Sequence, residues 1–221
     1  GNAGTNTATP RNWQDIAVSA ETGAIQVTCV SGGYLYLSTN TGASWSSTIS
    51  FNGGGGIGLQ AWQAVAVSAD GQYGLACVNS TTAAGFLYRS VNWGTIWSSS
   101  NIVIDGVGSQ ATNRSWQDVG MSANGKYQVA CTLTGSIFYS KDYGASWTSL
   151  TTAGSRSWSS VALSENGGTI SATTNDASGG VWVYAMPDEQ YYRAGAVANS
   201  GSTTTPSTIR AITYGNSGTG A

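Results

Sequence analysis

The stretch SKDYGASW at 140–147 has two earlier counterparts, SVNWGTIW at 90–97 and STNTGASW at 38–45. The shared frame is Ser-x-Asn/Asp-x-Gly-x-x-Trp, and it closes a unit of about fifty residues that recurs along the chain. A repeat of this period marks an array of like supersecondary units, stacked so that neighbours bury a common core. Each residue type in the frame suits a turn. The Asn or Asp side chain accepts hydrogen bonds from backbone N–H groups nearby, Gly takes the left-handed conformation, and Trp packs between sheets.

Working outward, each unit opens on a tryptophan: Trp13, Trp62, Trp116 and Trp158. A strand-like alternation follows, WQDIAVS, WQAVAVS, WQDVGMS and WSSVALS. Residues two apart share a strand face, so Ile16 with Val18, Val65 with Val67, Val119 with Met121 and Val161 with Leu163 form one apolar face per unit. Hairpin turns come next (SADG at 68–71, SANG at 122–125, SENG at 164–167). A second strand carries Cys29, Cys77 or Cys131, and a third reads GYLYLS, GFLYRS, GSIFYS or GVWVYA. The fourth strand begins at the closing Trp. Four short antiparallel strands per unit make a β-propeller blade, which predicts an all-β chain of about four blades over residues 1–198.

The fourth unit lacks the turn chemistry. Aligning Gly180 with Gly135 puts Ala185, Pro187 and Glu189 at the Ser, Asn/Asp and Gly positions, and Tyr192 at the closing Trp. Farther on, residues 210–218 align with 63–71, and Ile209 takes the opening Trp position. Residues 199–221 therefore read as a Ser/Thr-rich linker at 199–207 and an extra strand. A lone strand is an open edge, so residues 207–214 are expected to pair with blade 1 or with another molecule.

The frame Ser38-Asn40-Gly42-Trp45, Ser90-Asn92-Gly94-Trp97 and Ser140-Asp142-Gly144-Trp147 resembles the Asp box, or BNR repeat. That family includes sialidases, sortilin-type receptors, some glycoside hydrolases, photosystem assembly factors and microbial or viral surface proteins. The resemblance implies a propeller with the box in the turn between the third and fourth strands of a blade. It implies no activity, because catalytic residues of the enzymes in this family lie outside the box. Asn in two of the three copies keeps an acceptor and loses a charge, which suits hydrogen bonding and not acid–base work.

Composition narrows the function. The 221 residues are only 8% charged and include 31 Gly, 9 Trp and 11 Tyr, too aromatic and too poor in charge for a disordered chain. Net charge is −2, and the only lysines are Lys126 and Lys141, so no basic stripe suits a nucleic acid. No apolar run is long enough for membrane insertion, and the first twelve residues are too polar for a signal peptide. The three cysteines share one repeat position, which separates them beyond disulfide reach and suits small buried apolar residues. With no histidine and no CxxC pair, neither a metal nor a cofactor is expected.

Candidate binding residues come from a second repeat position. Arg11, Arg114 and Arg156 stand two residues before their opening Trp, with Gln60 in the second unit. On innermost strands they would gather at one mouth of a central channel, where arginine forks suit carboxylate, sulfate or phosphate. Asp15 and Asp118 lie four residues on, on the same strand face, and the alternative is that these arginines pair with neighbouring carboxylates or face solvent. Trp93, inside the second box, is a candidate exposed aromatic for a sugar face or a protein contact. Asn79-Ser-Thr81 and Asn113-Arg-Ser115 match the glycosylation acceptor pattern. A sialidase-like site would add a tyrosine nucleophile with a glutamate partner and an acidic proton donor. Yet Glu21 and Glu165 fall in turns, and Glu189, Tyr191 and Tyr192 fall in the decayed box.

The leading expectation is a non-catalytic structural or recognition module on an extracellular or virion surface, with other protein subunits or a glycan as partner. A sialidase-type glycoside hydrolase fragment is the second reading, and a protein-docking assembly factor the third.

Overall fold

The computed structural model describes residues 11–47, 50–51, 59–80, 85–100, 102–107, 114–177 and 179–186. The decayed box from Pro187 onward, the linker at 199–207, the strand at 207–214 and Asn113 lie outside these residues.

Four blades follow one another along the chain, the first two joined where Ser31 pairs with Ala61 and Gly33 with Gln60. Blade 1 holds β1 (Trp13–Val18), β2 (Gln26–Gly33) and β3 (Leu35–Ser38). After β4 (Ser50–Phe51), blade 2 holds β5 (Gln60–Val67), β6 (Gly74–Val78), β7 (Leu87–Ser90) and β8 (Ile96–Trp97). After β9 (Val103–Ile104), blade 3 holds β10 (Trp116–Met121), β11 (Gln128–Thr132), β12 (Ile137–Ser140) and β13 (Ser146–Ser149). Blade 4 holds β14 (Trp158–Leu163), β15 (Thr169–Thr174) and β16 (Val181–Ala185). The first three strands of every blade pair antiparallel in one shared register, Asp15 with Cys29, Ala64 with Cys77, Asp118 with Cys131 and Ser160 with Thr173. A bulge follows the opening Trp in all four.

Two features differ from the sequence expectation. Blades 2 and 3 gain an outer strand from the preceding link: β4 pairs parallel with β8, and β9 pairs parallel with β13. An antiparallel blade ends on unpaired N–H and C=O groups, and the link covers that edge. The fourth strand of blade 1 shrinks to a single bridge between Leu37 and Ser46.

The register of the fourth unit is also offset by one residue. Tyr184 faces Ile170 as Ser140 faces Gln128, so Tyr184 and not Ala185 takes the box Ser position. The hairpin before β16 is longer than its blade 3 counterpart and carries two glycines, Gly179 and Gly180. The sequence alone offers no reason to choose the correct one as the anchor.

The core is three seams between consecutive blades. Val27, Cys29 and Leu35 of blade 1 meet Trp62, Val65 and Tyr88 of blade 2. Leu75, Cys77 and Leu87 of blade 2 meet Trp116, Val119 and Phe138 of blade 3. Val129, Cys131 and Ile137 of blade 3 meet Trp158, Val161 and Ile170 of blade 4. The cysteines are free and buried, and desolvation pushes the Cys29 thiol up to about 12 and raises Cys77 and Cys131 as well. They are packing residues.

Backbone bonds run between successive hairpin turns along the array. Glu21 N–H donates to Ala69 O (2.9 Å), Ala69 N–H to Ala123 O (2.8 Å), and Ala123 N–H to Glu165 O (2.8 Å). These turns need glycine for contact as well as for φ. At Gly167 (φ 77°) an added Cβ would lie 2.2 Å from the Tyr127 ring of the preceding blade.

Candidate functional site

The three eight-residue turns have one hydrogen-bond plan. The Ser Oγ donates to the Asn or Asp Oδ1, at 3.0 Å for Ser38, 2.9 Å for Ser90 and 2.8 Å for Ser140. The same Ser Oγ accepts the Gly N–H, and Oδ1 accepts the N–H four residues beyond it. The residue before each Gly is left-handed too: Thr41 (φ 58°), Trp93 (56°) and Tyr143 (59°), a feature that sequence reasoning missed. Trp97 Nε1 and Trp147 Nε1 close their turns on Gly94 O (2.8 Å) and Gly144 O (3.0 Å). Trp93 is exposed, as its position at the turn tip suggests.

Desolvation pushes the Asp142 carboxyl up, but hydrogen bonds from Ser146, Ser140 and the Ala145 backbone outweigh it and hold the group below its usual value. A depressed acid adds stability above its unfolded pKa and loses it as pH falls through the lower folded value. Asp142→Asn, the residue of the other two turns, should cost less than about 1 kcal/mol at pH 7, since the group is partly solvated. Urea titrations should also show a smaller loss of stability on acidification below about pH 4.

Asp15 and Asp118, read from sequence as possible arginine partners, are clamps between blades. Each sits at the bulge and accepts the following N–H through Oδ1, Ile16 at 2.8 Å and Val119 at 2.8 Å. Each then crosses the seam. Asp15 Oδ2 accepts Val65 N–H (2.8 Å), and Asp118 Oδ2 accepts Val161 N–H (2.9 Å) and the Ser160 hydroxyl (2.5 Å). Blades 2 and 4 carry Ala64 and Ser160 at this position, so their bulge N–H groups borrow the carboxylate of the preceding blade.

The arginines also find partners within their own blades. Arg11 stacks on Tyr36 (4.9 Å to the ring centre) and donates to its hydroxyl. Arg114 stacks on Phe138 (4.7 Å), and Arg156 on Trp182 (4.0 Å), with Asp176 Oδ2 at 4.0 Å from Arg156 Nη1. The opening Trp lies against the same ring, as with Trp13 and Tyr36 (5.2 Å) or Trp116 and Phe138 (5.3 Å). Arg11 and Arg114 line separate concavities. The structure therefore presents arginine–aromatic stacks in blades 1, 3 and 4, each formed within its own blade. Gln60 opens β5 in blade 2, where Tyr88 holds the ring position.

The two ends of the array differ. Trp62, Trp116 and Trp158 are buried, but Trp13 is 45% exposed, with Ile16 at 57% and Val18 at 49%. Among the described residues, the leading face of blade 1 thus keeps the full apolar pattern without a blade against it. On the trailing face of blade 4, Ser171 and Thr173 replace the buried Val/Leu and Cys of the earlier blades, and Val181 and Val183 are exposed. Ser171 and Thr173 give this face part of the polar chemistry of a terminal repeat, beside two exposed valines.

No family model and no curated protein matches the chain. Solved structures do. A TolB of Agrobacterium tumefaciens superposes with TM-score 0.57 at 16% identity, over 80% of this chain and 59% of that one. A GH74 enzyme of Niastella koreensis gives TM-score 0.55 at 20% identity, over 80% and 23%. YCF48 bound to a D1 peptide gives 0.55 at 17%, over 78% and 51%. The chain thus spans a quarter to three-fifths of these neighbours. At such identity the likeness is one of fold, and it agrees with the blade geometry above: this chain is built of β-propeller blades.

Proposed function

We propose that the chain is a non-catalytic propeller module with a structural and recognition role on an extracellular or virion surface, and that its partner is protein. The observation that carries this reading is the leading face of blade 1, which no other described residue covers. Trp13, Ile16 and Val18 repeat a pattern that three seams bury, and an exposed apolar patch of this kind marks an interaction surface. The partner is a second copy, packed front to front about a two-fold axis. Such a contact sets an apolar, nearly uncharged face against itself, the commonest arrangement in homo-oligomers. The trailing face of blade 4, where Ser171 and Thr173 stand beside the exposed Val181 and Val183, is the poorer match. The non-catalytic part draws on Asp15, Asp118 and Asp142, whose oxygens are engaged by backbone N–H groups in clamps and turns.

Light scattering on the full chain should give a dimer that Ile16→Asp converts to monomer while Val181→Asp does not. A monomer at every concentration, or dissociation by Val181→Asp, would overturn the front-to-front arrangement. Sialoside turnover that Arg114→Ala abolishes would overturn the non-catalytic reading.

A second reading, a sialidase-type or other glycoside hydrolase fragment, draws on the likeness to the GH74 enzyme and on the aromatic-backed arginines. The exposed Trp93 suits a sugar face in either reading, and a glycan array tests that contact. The third, a protein-docking assembly factor, draws on the likeness to YCF48 bound to a peptide.

A further inference from the structure

The repeat supplies its own controls for the arginine row. In blade 1 the ring under Arg11 is Tyr36, whose hydroxyl accepts a hydrogen bond from the guanidinium. In blade 4 the ring under Arg156 is Trp182, and Asp176 supplies a carboxylate. In blade 3 the ring is Phe138, which has no acceptor, and the position of Asp176 is held by Thr134. Among the described residues, Arg114 is therefore the member of the row that lacks a counter-group. Its Nε is buried and has no hydrogen-bond partner, as is also true of Arg156 Nε, so the difference between the two is the Asp176 carboxylate 4.0 Å from Arg156 Nη1. Burial lowers the affinity of this guanidinium for its proton, and the Asp105 carboxylate acts in the opposite direction without forming an ion pair. A cation half withdrawn from water without an acceptor costs stability unless something pairs with it.

The surroundings fit such a guest. Arg114 lines a concavity of about 380 Å³ with Ser80, Ser115, Thr134, Ser136 and Phe138. Phe138 fixes the guanidinium plane from one side, and the remaining lining residues bring hydroxyl groups and no carboxylate. A fixed fork beside neutral hydroxyls matches the geometry of an oxyanion.

We infer that the concavity at Arg114, at the border of blades 2 and 3, is a binding site for an oxyanion group: carboxylate, sulfate or phosphate. It is a single-arginine site, distinct from the apolar face of blade 1. Arg11 and Arg156 do not share the role, because Tyr36 and Asp176 already occupy them.

The test uses side-chain arginine NMR on the full chain, titrated with sodium acetate, sodium sulfate or sodium phosphate against sodium chloride at matched ionic strength. The expected result is a saturable shift of the Arg114 Nε–H resonance with at least one of the three, and none at Arg156. The three titrations distinguish carboxylate from sulfate and phosphate sources. Thr134→Asp gives blade 3 the counter-ion of blade 4 and should weaken binding by about tenfold or more. Phe138→Tyr supplies the acceptor of blade 1 and should weaken it less. Both variants keep Arg114, so its resonance stays observable. A linear response equal to that of chloride for all three anions would overturn the site, as would saturable binding unchanged by both variants.

Discussion

Trp116→Ala should lower the unfolding free energy by about 3–5 kcal/mol, whereas the same change at Trp13 should cost less than about 1 kcal/mol. Both residues open a blade and begin the same WQD sequence. Trp116 is fully buried between blades 2 and 3, lies against Phe138, and donates through Nε1 to Gly85 O of the preceding blade (3.2 Å). Its removal leaves a large cavity and an unpaired carbonyl in a seam that cannot collapse without moving two sheets. Among the described residues Trp13 has no preceding blade, and nearly half of its surface meets water. Urea denaturation followed by circular dichroism measures both, using monomer concentrations so that association through Trp13 does not contribute. Equal losses in the two variants would show that blade 1 is covered in solution.

Asp118→Ala is expected to cost about 3 kcal/mol, with Asp118→Asn in between, because it strands the Val119 and Val161 N–H groups together. Asn keeps one acceptor and so serves one of the two. The pH dependence separates the charge from the hydrogen bonds. Desolvation raises the Asp118 carboxyl, the bonds from Ser160, Val161 and Val119 pull it down, and the Asp15 charge adds to the rise. A raised acid binds its proton more tightly in the folded state. Its contribution is fully present below the unfolded pKa and is lost as pH rises through the folded one. Asp118→Asn should therefore remove a decline in stability with rising pH across the carboxylate range, the opposite of the change expected for Asp142→Asn. A parallel change in the two variants would refute the assignment of Asp118 as a desolvated clamp.

The clamp also shows where sequence reading stops. WQDI and WQDV were visible as repeats, and so was the substitution of Ala64 and Ser160 at the Asp position. Their meaning was not, because each Asp satisfies a backbone group about forty to fifty residues away in the next repeat, a distance no local pattern encodes. The arginine row was legible as a repeat position for the same reason that the tryptophans were. Its pairing was not, because the partners Tyr36, Phe138 and Trp182 lie on the third strand of each blade. The strands β4 and β9 gave no signal: two residues of parallel pairing are too short for an alternation to appear.

By itself the sequence determined the repeat, the turn chemistry, the burial of the three cysteines and the propeller class. The turn chemistry rests on contacts within one unit, and the cysteine position shows as buried because the repeat sets it on the same strand face each time. The tertiary structure decided what happens between units. It showed which face of which blade is left open, that the carboxylates clamp neighbouring blades, and that one arginine of three lacks a counter-group. Those outcomes depend on what the adjacent blade presents, and residues far apart in sequence settle that only when the sheets are packed.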